Sequence, residues 1–191
     1  MLILGGLAVV VAAVAVWWAL SATTAVRAGS FSSVGPAGHE DQCSFPDDDF
    51  WALFARDEPV VAEQTVRSDA RWPVEVTSLR PDVFRFEPLA RGPSDPFMSA
   101  KDGAPSAAET SDRVVIPPGR EATLWVVGWP WDDGVPIDGE ARMGVDSAPV
   151  RVRALGISRD TEIDLEKSLW LSGLDSGSDE FRNQVQELCP S

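Results

Sequence analysis

A site that does chemistry needs a nucleophile, a base or a metal ligand within reach of a partner, and this chain carries few residues of those types. Its single histidine is His39 and its two cysteines are Cys43 and Cys189. A Ser-His-Asp or Cys-His arrangement would have to recruit His39, which stands beside Glu40 and Asp41 in a stretch that reads as an exposed tether. Neither cysteine belongs to a CxxC unit, which argues against a zinc site or a thiol-disulfide couple. No G-x-S-x-G elbow, H-E-x-x-H helix or glycine-rich phosphate loop following a strand is present. The 30 Asp and Glu side chains guarantee close carboxylate neighbours, but on an acidic surface such pairs are solvated. The expectation is therefore a non-enzyme with no catalytic residue, no metal and no cofactor.

One stretch has the composition of a recognition loop. From Gly128 to Pro149, Trp129 and Trp131 flank Pro130, and the acids Asp132, Asp133, Asp138 and Glu140 follow. Aromatics beside carboxylates suit a glycan, a peptide or a cation, although the Asp spacing does not match an EF-hand. The plainer reading is a pair of tryptophans capping a core beneath an acidic loop.

The charge is unevenly spread. With 16 Lys and Arg against 30 acids the formal net charge is -14, yet residues 1–26 contain no ionisable side chain. An acidic body repels a phosphate backbone, so nucleic acid is excluded as a partner. The uncharged leader, MLILGGLAVVVAAVAVWWALSATTAV, contains about twenty consecutive apolar residues, enough for a helix to span a hydrocarbon core of roughly 30 Å. Trp17 and Trp18 suit a headgroup-level anchor, and Arg27 follows in water. A cleaved signal peptide and a buried soluble helix are the alternatives, and for the first the basic n-region is absent. Residues 1–27 are thus expected to form a transmembrane signal anchor. Residues 1–26 would contact the lipid bilayer, placing the chain in the cell membrane as a single-pass protein with residues 28–191 extracytoplasmic. In that oxidising space Cys43 and Cys189 are expected to form a disulfide bond that clips the ends of the domain together.

The elements beyond the leader are read from periodicity. Residues 28–58 are first small and polar, then acidic with Phe50, Trp51, Leu53 and Phe54, and read as a tether with a docking segment. Over residues 59–172 the period becomes two. Ala62, Gln64 and Val66 alternate with Glu63, Thr65 and Arg67, and Val74 and Val76 alternate with Glu75 and Thr77. Phe84 and Phe86 alternate with Arg85 and Glu87, and Val114–Ile116 stops at Pro117-Pro118. The next run, residues 121–127, is apolar on both faces through Leu124 and Trp125 and is expected to be central or covered. Residues 150–154 and 161–166 read as a closing hairpin in which Arg151 and Arg153 would face Glu162 and Asp164. In the tail, residues 173–191, Ser178 can cap a short helix presenting Phe181, Val185 and Leu188 on one face. About seven strands without βαβ repeats predict an all-β fold, an immunoglobulin-like Greek-key sandwich, with a small barrel as the alternative.

The runs VVAEQTVRSDARWPVEVTSL, RVVIPPGREATLWVVGW and PVRVRALGISRDTEIDL resemble membrane-anchored, exported β-sandwich proteins of unknown function from actinobacteria, over about residues 59–167. The resemblance implies location and fold and carries no activity or catalytic residues with it. The function expected from all of this is a membrane-anchored, extracytoplasmic, non-catalytic interaction or scaffolding module with a membrane or cell-envelope protein as partner. The alternatives are an exported ligand-binding domain using the Trp129/Trp131 loop and an accessory subunit of a membrane protein assembly.

Overall fold

Strands whose apolar residues recur at every second position must bury one face, and here two sheets bury theirs against each other. A computed structural model describes residues 2–22, 24–35, 50–87, 100, 103–128, 139 and 141–188. The elements among them are α1 (Leu2–Ala22), β1 (Val26–Val34), β2 (Phe50–Phe54), β3 (Val61–Ser68), β4 (Val74–Ser78), β5 (Phe84–Glu87), β6 (Arg113–Ile116), β7 (Glu121–Val127), β8 (Arg142–Ala154), β9 (Ile157–Ser172) and α2 (Asp179–Leu188). One sheet has the order β1-β3-β7-β5 and the other β2-β9-β8-β4-β6. The core lies between them. Ala62, Val66, Phe84, Phe86, Leu124 and Val126 of the first sheet meet Val74, Val76, Ile116, Val150, Val152 and Ile163 of the second.

Among the described residues the chain changes sheet at every connection from β1 to β8, and only β8 and β9 form a hairpin. An immunoglobulin-like sandwich would place its first, second, fourth and fifth strands together. With β1, β3, β4, β5, β7, β8 and β9 counted as the seven, β1-β3-β7-β5 runs first-second-fifth-fourth and β9-β8-β4 runs seventh-sixth-third, the orders of that sandwich. The described strands thus form an all-β sandwich of two sheets, with nine strands where about seven were expected, β2 and β6 being added at the edges of the second sheet. Between β3 and β4, Ala70 and Trp72 pack on the core where the chain crosses from one layer to the other.

The two strands not anticipated come from the stretch before residue 59. β1, VRAGSFSSV, has little apolar alternation and pairs antiparallel with β3. β2 pairs parallel with β9, a contact that no local pattern announces. After β2, Arg56 forms a bidentate ion pair with Asp175 at 2.9 and 3.0 Å, and Asp57 accepts from the Ser176 amide and hydroxyl. These contacts tie β2 to the connector leading into α2, and Phe181 and Val185 of α2 bury against Leu53 and Ala55. Ser178 accepts from the Phe181 amide at 3.0 Å and caps the helix.

Several expectations about the leader are overturned. Among the described residues no helix is long and apolar enough to cross a membrane. The transmembrane anchor over residues 1–27, the bilayer contact through residues 1–26 and the single-pass cell-membrane placement with residues 28–191 extracytoplasmic therefore lose their support. Nor does α1 end clear of the sandwich. Its C-terminal end, expected among lipid headgroups, is seated on protein: Ser21 is 3 % exposed and its hydroxyl donates to the Ala154 carbonyl at 2.7 Å. No disulfide occurs among the described residues, and Cys43 and Cys189 both lie outside them.

The edge of the first sheet is fitted by contact at one glycine. A Cβ at Gly29 of β1 would lie 2.4 Å from Thr65 Oγ1 and 2.9 Å from Thr65 Cβ on β3. Threonine is stiff at χ1 and cannot swing aside. Gly29→Ala should therefore lower the stability measured by urea unfolding by about 1–3 kcal/mol, whereas Gly177→Ala, with open space around the new methyl, should change it by less than about 0.5 kcal/mol.

Candidate functional site

The longest ladder in the molecule slips once, and the slip opens a cleft. Between Val145 and Ser147 β8 advances two residues, while between Leu169 and Asp164 β9 advances five. Leu165 and Leu169 both stay in the core, so the intervening chain bows outward. The resulting cleft has a volume of about 430 Å³ and is lined by Asp146, Ser147, Glu162, Asp164, Leu165, Glu166 and Ser168.

The bowed backbone is held from inside by Gln64 of β3. This side chain is 1 % exposed and reaches across the sandwich, where its Oε1 accepts from the Glu166 amide at 2.8 Å and its Nε2 donates to the Asp164 carbonyl at 3.5 Å. It supplies the hydrogen bonds that the interrupted ladder cannot. The rim is tied by Ser147, whose hydroxyl donates to Glu162 at 2.9 Å, and by Ser32 of β1, which donates to Glu166 at 3.5 Å.

Four exposed carboxylates on one wall create a negative potential that attracts cations. Among the described residues no group of three or more His, Cys, Asp or Glu is placed to hold a metal ion. The chemistry on offer is charge attraction and hydrogen bonding.

At the far end of the same hairpin the turn Leu155-Gly156 has both residues at positive φ, 52° and 85°, the form that suits the twist of a two-residue hairpin. Here α1 docks. Ser21 bonds Ala154, and a Cβ at Gly156 would come within 4.0 Å of the Trp17 indole. The rest of the described helix stands in solvent: Val11, Val14, Val16, Trp17, Trp18 and Leu20 are 43–61 % exposed. Their positions run around the helix rather than along one stripe.

The cross-strand charges fall differently from expectation. Arg151 faces Asp160, not Glu162 or Asp164, and grips it with two hydrogen bonds at 2.7 and 3.0 Å, while Arg153 faces Ser158. The turn is only Leu155-Gly156, so β9 begins at Ile157 and not at residue 161, which moves each partner toward the turn. The hydrogen bonds from Arg151, then its charge, hold the Asp160 carboxyl below its ordinary value.

Of the recognition loop, Trp129, Trp131, Asp132, Asp133, Asp138 and Glu140 all lie outside the described residues, and no ligand role for them finds support. His39 is outside them as well. The stretch read as loop up to Pro149 already contains β8 from Arg142 onward. Sequence reasoning missed Gln64, treated simply as an inward strand residue. It also placed Glu63 in water, yet Glu63 is fully buried on the outer side of its sheet, beside Trp125 in the ladder, and accepts from the Ala100 amide at 2.9 Å. The signal for both was a polar residue in a strand whose neighbour, β7, is apolar on both faces.

Comparison with known proteins adds no relative: no protein-family model matches the chain, and no curated protein is similar to it.

Two outcomes follow from this geometry. Gln64→Leu keeps the volume but leaves the Glu166 amide without its acceptor, so urea unfolding should show a loss of about 1–3 kcal/mol and the Glu166 amide should exchange faster by NMR. Asp160 has a folded pKa below its ordinary value of 3.8, so its stabilising pairing is fully present above that value and is lost as pH falls through the folded pKa. Acid unfolding of Asp160→Asn should accordingly show a shallower loss of stability below about pH 4 than the native chain.

Proposed function

We propose that this chain is a non-catalytic β-sandwich domain that works by noncovalent association, with α1 as its contact arm. The observation that carries the reading is the set of large apolar side chains on α1 that stand in solvent while the end of the helix is fixed to the hairpin tip. Soluble domains rarely leave a contiguous apolar surface of this kind uncovered, and where one occurs it marks a place of contact. Fixing the helix end lowers the ordering cost of association, because the arm is presented in one direction before contact.

The residue inventory supports the non-catalytic part. Residues 50–188, which hold eight of the nine strands, contain neither histidine nor cysteine. The resemblance of residues 59–167 to β-sandwich proteins without assigned activity is in keeping with the same reading.

The test compares the full chain with its Trp17→Glu/Trp18→Glu variant by light scattering in plain buffer and by thermal unfolding. The native chain is expected to associate and the variant to run as a monomer with the same unfolding midpoint. A native chain that is itself monomeric, with the same radius as the variant, would overturn the proposal.

A further inference from the structure

We draw no further inference here: the strongest candidate, the acid-walled cleft at the β8–β9 slip, is a cluster of exposed carboxylates with no second observation that points to a ligand, and the apolar face of α1 belongs to the site already described, with nothing in the structure to show what covers it.

Discussion

The arrangement depends on one constraint: neither sheet can be completed without the other. Because the chain crosses between layers at each step from β1 to β8, strands adjacent in sequence lie in opposite sheets, and every ladder except β8–β9 joins segments distant along the chain. The inner faces, with Phe86 and Leu124 on one side and Ile116 and Val150 on the other, therefore become buried in a single event rather than sheet by sheet. Such a topology defers the gain from burial until long loops have closed, which places the domain among slow-folding all-β architectures. The crossings also guard the edges. Ser111 exchanges two backbone hydrogen bonds with Phe86 at 2.7 Å each, so the segment leading to β6 partly covers the exposed side of β5.

A polar group in the interior of such a sandwich costs least where it is hydrogen-bonded. Gln64 meets the condition by joining the two layers, and in doing so it stabilises a bow in β9 that a regular ladder would straighten. The acidic cleft is the outer consequence of that inner bond. Glu63, the neighbouring residue, accepts on the other side of the same strand from the Ala100 amide. β3 is thus buried on both faces over most of its length, and Gln64 and Glu63 are anchored in opposite directions.

Charge and apolar surface are segregated along the chain. The acids are spread over the sandwich, where most of the described ones remain in solvent, and the uncharged segment projects from the hairpin tip. Repulsion between acidic bodies opposes close packing of sandwiches against one another and leaves the neutral helix as the region where contact costs least. The same electrostatics limits the value of the surface ion pairs. Arg151–Asp160 and Arg56–Asp175 orient the hairpin and the α2 connector, but each lies in water and contributes little to overall stability.

The strands at 61–68, 74–78, 84–87, 113–116 and 121–127 were legible because alternating burial leaves a period of two in the residues themselves, and the Ser178 cap was legible because it satisfies a local backbone amide. The lack of histidine and cysteine within the strands was equally plain. What the chain alone did not reveal were the partners: that β2 lies parallel to β9, that β3 and β4 belong to different layers, and that Arg151 meets Asp160. Strand pairing joins backbones, which are the same at every position, so register and sheet membership are decided by how the whole set of apolar faces closes at once. The seat of α1 on the Ala154 carbonyl and the bridge made by Gln64 have the same origin, since each is a contact between residues about a hundred or more positions apart that no local pattern encodes.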